Sequence, residues 1–211
     1  MILTLLFITN TAFVLIAISA IIYALVGSSK NKKGTNKISP KIKKFVILGA
    51  IILCIGLGFA NNKLTSIKQL AIDKGATNTD LKTMNITKLY DNTTIAPKET
   101  TLPNDLTNTL IVVYTFGDER YTKINEDLKS SINVAKIDKI YWVSSSSKQG
   151  KTLLKKYPVS AVPSMIYVYK SDLAETYITK PLYNEDIKTN TVSFNAENFN
   201  EIMEKRSNFN K

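Results

Sequence analysis

The stretch Lys156-Tyr-Pro-Val-Ser-Ala-Val-Pro-Ser-Met-Ile-Tyr-Val-Tyr169 sets two prolines ahead of an unbroken apolar run. Pro158 has no N–H to continue a helical ladder, so it stops the helix read over Thr152 to Tyr157. Met165 to Tyr169 is rich in β-branched and aromatic side chains, the composition of a strand buried on both faces. Between them lies a short loop that ends on Pro163. Helix, proline loop and buried strand in that order point to an α/β domain.

Reading outward supports that class. Leu110 to Phe116 is a second short apolar run of strand character. Asp118 and Glu119 open a segment in which Tyr121, Ile124, Leu128 and Ile132 recur near helical spacing, and acidic residues in a first turn suit the helix dipole. That helix runs toward Val134, and Lys139 to Val143 reads as the next strand. A last strand falls within Glu175 to Thr179 or near Thr191 to Phe194. Asn195 to Arg206 closes the domain as a helix with Phe199 and Ile202 inward.

The order from Thr107 to Arg206 resembles the thioredoxin superfamily, over about half the chain. Val159-Ser-Ala-Val-Pro163 is similar to that family's loop before a buried strand, and Leu110-Ile-Val-Val-Tyr-Thr-Phe-Gly-Asp-Glu-Arg-Tyr-Thr122 to its first core strand and active-site loop. The resemblance implies a central mixed sheet flanked by helices, and a cis bond before Pro163. It also implies a peptide-binding groove with Ala161, Val162 and Pro163 on one side and Glu119, Arg120, Tyr121 and Thr122 on the other. An ordinary turn proline before a strand is the competing reading. In the family, the four positions from Glu119 to Thr122 would carry Cys-x-x-Cys, whose first thiol attacks as a thiolate. Here they hold no cysteine, and Val113 stands where the family places a buried acid. A domain without that machinery is expected to bind, not to exchange disulfides.

The chain has no histidine, and its one cysteine, Cys54, lies in an apolar run. Histidine-based nucleophile systems, His/Cys zinc sites and dithiol exchange are thereby excluded, and no catalytic residue, cofactor or metal is expected. Abundant Lys, Asn, Ile and Thr suit an AT-rich genome, pointing to a low-GC Gram-positive bacterium or one of its mobile elements.

Residues 1–26 are uncharged and apolar for long enough to cross a bilayer, and 45–61 form a second, shorter span. A cleaved signal peptide competes for the first, but no basic residue precedes it and a lysine-rich run follows at once. Seven lysines and no acids fall between Lys30 and Lys44, so much of the net charge of +11 sits in the 27–44 loop. That placement favours membrane orientation over nucleic-acid binding. The positive-inside rule leaves the loop cytoplasmic and both the N-terminus and the C-terminal domain extracytoplasmic, in a multi-pass protein of the cell membrane. Ala50, Cys54 and Gly58 repeat at four-residue spacing, Ala17, Ala20 and Ala24 form a similar line of small side chains, and such stripes let helices pack closely in lipid. Residues 62–106 read as a helical spacer, with Leu64, Ile67, Leu70 and Ala71 at helical spacing.

Two motifs invite enzymatic readings. Ser145-Ser-Ser-Lys-Gln-Gly-Lys-Thr152 follows a strand and opens a helix as a phosphate-binding loop does, but lacks the first glycine. Ser145 to Lys148 also satisfies Ser-x-x-Lys without its companion motifs. Neither outweighs the binding reading. The sequence is therefore expected to encode a redox-inactive, membrane-anchored scaffold or accessory subunit that meets protein partners in an envelope assembly of the secretion, conjugation or bacteriocin-export type. The alternative is a small immunity or exclusion protein acting through its membrane hairpin.

Overall fold

The computed structural model describes residues 1–26, 40–137, 139–171 and 174–209. Most of the 27–44 loop lies outside that set.

Two long helices, α1 (Ile2–Val26) and α2 (Pro40–Asp73), run antiparallel. Both are long and apolar enough to cross a membrane, over Ile2–Tyr23 and within Lys44–Asp73. Thr9 Oγ1 donates to Asn61 Oδ1 at 3.4 Å, so the start of α1 lies level with the residues where α2 turns polar. Beyond Asn61 the helix does not stop. Its inward face, Leu64, Ile67 and Ala71, continues into the globular core, and Ile2 is buried there too.

The segment expected as a helical spacer is helical, and its helices pack onto the domain. It forms α3 (Asn78–Thr83) and α4 (Ile86–Ile95), started by Thr77, whose side chain makes a reciprocal capping box with Asp80, and by Asn85. Leu81, Leu89 and Ala96 are buried in the core of the domain. Sparse apolar residues among Thr, Asn and Lys are enough, because one face of each short helix is all that must be covered.

The remaining elements are β1 (Thr109–Tyr114), α5 (Glu119–Val134), β2 (Tyr141–Ser144), α6 (Lys148–Lys156), β3 (Ser164–Ser171), β4 (Ala174–Pro181), β5 (Tyr183–Asp186), β6 (Thr191–Phe194) and α7 (Ala196–Phe209). Both segments proposed for the last strand are strands. The first joins the main sheet as β4 and the second pairs with β5 in a separate hairpin.

The main sheet is mixed, in the order β2-β1-β3-β4, with β1 parallel to β2 and antiparallel to β3, and β4 antiparallel to β3. Every residue of β1 is buried, as its unbroken apolar run requires. Leu110, Val112 and Tyr114 join Tyr121, Ile124 and Leu128 of α5, Phe199 and Ile202 of α7, and the ends of α1 to α4. Ile111 and Val113 face the other way, onto Leu153 of α6, Tyr157 at its C-terminal cap, Leu102 and Leu106. The Val162–Pro163 bond is cis.

Candidate functional site

Val113 pairs with Ser164, so the next step of the ladder sets Pro163 beside Tyr114, where β1 leaves the sheet. The Ala161–Pro163 loop and the turn into α5 therefore share one end of the sheet. Gly117 in that turn has φ +79°, and a Cβ there would collide with the Met84 side chain, which packs down from the end of α3. Asp118 caps α5, accepting from the Arg120 N–H at 2.9 Å. Its two carboxylate oxygens also receive Arg120 Nε at 3.1 Å and Nη2 at 2.9 Å. Arg120 Nη1 donates to Tyr183 Oη at 3.1 Å, and the guanidinium lies 5.2 Å from that ring's centre.

This clamp ties the first turn of α5 to the start of β5. The Asp118 hydrogen bond, above all, raises the Arg120 pKa further. The Arg120 side chain is still 41% exposed, so the site presents at the surface a guanidinium held in an ion pair with Asp118.

The residues expected to form the groove divide. Ala161, Val162 and Thr122 are half-buried around this end of the sheet. Pro163 is buried, and its carbonyl accepts from the Leu182 N–H at 2.9 Å, so the floor expected of it is partly covered. The Ala161 carbonyl takes the Ser164 hydroxyl at 2.5 Å. Among the described residues nothing bonds the N–H or C=O of Val162. Tyr121 is not on the groove. It is 2% exposed, packs 5.2 Å from the Tyr114 ring and donates to Asn125 Oδ1, because α5 turns this position inward with Ile124 and Leu128. Glu119 begins α5, and its side chain lies outside the described residues.

Burial pushes the phenols of Tyr114 and Tyr121 far above the ordinary tyrosine range, so neither ionises near neutral pH. Cys54 is in α2, remote in sequence from this end of the sheet. Among the described residues no cluster of His, Cys, Asp and Glu could hold a metal ion. The arrangement sets an unpaired backbone N–H and C=O at Val162 and a clamped guanidinium at Arg120 at the same end of the sheet.

The loop between β2 and α6, which resembled a phosphate cradle, is filled by the chain itself. Ser147 caps α6, accepting from the Gly150 N–H at 2.9 Å and donating to Glu99 Oε1 at 2.6 Å. The Ser144 N–H reaches the same carboxylate oxygen at 3.3 Å, and the Ser144 and Ser146 hydroxyls bond the Gly75 carbonyl. Ser145 shares a hydrogen bond with Thr115. An anion at this helix end would meet Glu99. The glycine of the motif has a packing cause, since a Cβ at Gly150 would overlap the Ser144 carbonyl oxygen.

In the hairpin, Ala50, Cys54 and Gly58 are half-buried while Ile51, Ile52, Leu53 and Ile55 are exposed, which turns the stripe toward α1. A Cβ at Gly58 would meet nothing within 4 Å, so helix approach does not require that glycine.

Sequence reasoning placed Asp118 at the helix start without its clamp role, and missed Tyr183 and Glu99. The acidic residue before a helix was the available signal for Asp118. Tyr183 and Glu99 come from distant segments and left none. Comparison with protein-family models, with curated proteins and with solved structures returns no match.

Proposed function

We propose that this chain is a membrane-anchored, thioredoxin-like protein without thiol chemistry, whose domain holds a protein partner outside the cytoplasmic membrane. It would serve as a scaffold or accessory component of an envelope assembly. The strand order β2-β1-β3-β4, with helices after β1, β2 and β6 and a proline loop before β3, supports the thioredoxin-like reading. The lysines of the 27–44 loop support the outward placement of the domain.

One observation carries the binding role. Val162 keeps its backbone donor and acceptor unused at the end of the sheet where the exposed cation of Arg120 is clamped, the position at which the family's dithiol would stand. An extended partner segment can pair with that backbone and set an acidic side chain near Arg120.

In-cell photo-crosslinking tests this, with probes at Ser160 beside the loop and at Leu57 in α2. Capture of one defined envelope protein from Ser160 is expected, weakened by Arg120→Ala. Capture from Leu57 alone would overturn the reading and move function into the membrane hairpin.

A further inference from the structure

The two edges of the main sheet are treated differently. Along β2, the Thr100 N–H donates to the Trp142 carbonyl at 2.8 Å, the Trp142 N–H to Thr100 Oγ1 at 2.6 Å, and the Ser144 N–H to Glu99. That edge is closed by the chain's own 99–102 segment. Along β4 no such cover exists among the described residues.

The hydrogen-bond phase fixes which groups of β4 are open. The Leu182 N–H bonds the Pro163 carbonyl, so in the register that pairs Met165 with Lys180 and Tyr167 with Ile178, the even-numbered residues of β4 bond β3. Glu175, Tyr177 and Thr179 therefore point their N–H and C=O groups outward, and no described residue takes them. The open stretch stops at Pro181, which has no N–H and whose carbonyl is taken by Asn198 Nδ2 at 2.9 Å.

Exposed edges are ordinarily blunted by free charges, bulges or central prolines. Here the pairing with β3 is unbroken along the whole strand, and both edge charges have oppositely charged partners within the chain. Glu175 pairs with Lys156 at 2.7 Å and Lys180 with Glu201 at 2.7 Å. Nothing on the edge repels another strand.

We infer that β4 is an isologous interface, where two copies of this chain join their sheets through antiparallel β4–β4 pairing centred on Tyr177. A two-fold axis normal to a sheet must place a residue opposite itself, and the open groups at 175, 177 and 179 are symmetric about 177. Glu175 then faces Thr179 of the second copy, Tyr177 faces its own counterpart, Thr176 faces Ile178, and Lys180 faces Ala174. No like charges meet, and the facing aromatic and β-branched pairs are favourable ones. The ladder would form about six backbone hydrogen bonds. Tyr177 is 39% exposed and rests edge-on against Tyr157, ready to be covered. Two copies held in one bilayer would meet at high effective concentration.

Disulfide trapping tests this in the full-length chain in membranes, with Cys54→Ala removing the native thiol. Facing residues in a hydrogen-bonded pair have Cα atoms about 5.5 Å apart, within disulfide range. Tyr177→Cys is expected to convert to a covalent dimer on mild oxidation, while Val134→Cys, 81% exposed on α5, stays monomeric. Adding Thr179→Pro removes an outward N–H without touching a bond to β3, and the dimer should be lost from a chain that remains folded by circular dichroism. Dimer from Tyr177→Cys no greater than from Val134→Cys, dimer that survives Thr179→Pro, or a disulfide to a different protein would each overturn the inference. So would a monomeric mass for the unmodified chain in mild detergent.

Discussion

Two loops leave the same end of the sheet, one after each parallel strand, and they are finished in opposite ways. The loop after β2 is closed: its serines and the cap of α6 are satisfied by Gly75, Thr115 and Glu99, and Gly150 is held tight under the Ser144 carbonyl. At the loop after β1, Arg120 is clamped between Asp118 and Tyr183, while the Val162 backbone, on the loop before β3 at the same end of the sheet, stays free among the described residues. Polar residues crowd both. What separates the two is that, among the described residues, the polar groups of the first have partners within the chain, whereas the second adjoins the unpaired N–H and C=O of Val162.

The closed loop should respond through stability. Gly150→Ala forces a Cβ into the Ser144 carbonyl and should cost about 3 kcal/mol or more, read as a large fall in the thermal midpoint. Glu99→Ala strips the hydroxyl of Ser147 and the Ser144 N–H of their acceptor and should cost about 1–3 kcal/mol, with partner capture from Ser160 unchanged in the folded fraction. Loss of capture at full folding would mean that the closed loop also recognises the partner.

The loop after β1 should respond the other way. Arg120→Ala removes an ion pair that is partly solvated and should cost under about 1 kcal/mol, yet it should reduce capture from Ser160. A large stability loss with unaltered capture would reverse the contrast. The smallest effect expected is one of pH. Tyr114 and Tyr121 have folded pKa values raised by burial, so their contribution is fully present below the unfolded tyrosine value and declines as pH rises above about 10. Stability measured from pH 7 to 9 should show no step from these residues, and an unfolding transition should appear only in the alkaline range.

The sequence made the sheet legible where one residue type dominated. β1 from Leu110 and β3 from Met165 to Tyr169 are continuous apolar runs because both faces are covered there, and Pro158 and Pro163 mark the loop between α6 and β3 by their missing donors. In residues 62–106 the helical spacing was visible but not the packing of those helices on the domain, because Asn, Thr and Lys outnumber the few side chains that reach the core. Leu81 and Leu89 are single anchors on short helices, too sparse to give a strong period. At Tyr121 two signals conflicted: alignment of the loop placed it on the groove, whereas its spacing to Ile124 and Leu128 placed it inside. Spacing prevailed, since the side chain must follow the helix that carries it. The Arg120–Tyr183 contact joins residues from α5 and β5, and no local pattern announces such a pair.

On the proposed thioredoxin-like reading, the turn into α5 stands where a thiol-exchange site would carry its thiols. Installing Glu119→Cys and Thr122→Cys together in a Cys54→Ala chain tests it most directly, because the pair spans the first turn of α5 just behind the Asp118 cap. The account predicts a reversible intramolecular disulfide, a first thiol with a lowered pKa from its place at the helix N-terminus, and insulin reduction above that of either single variant. A correctly folded double variant that forms no such disulfide and shows an ordinary thiol pKa would contradict it.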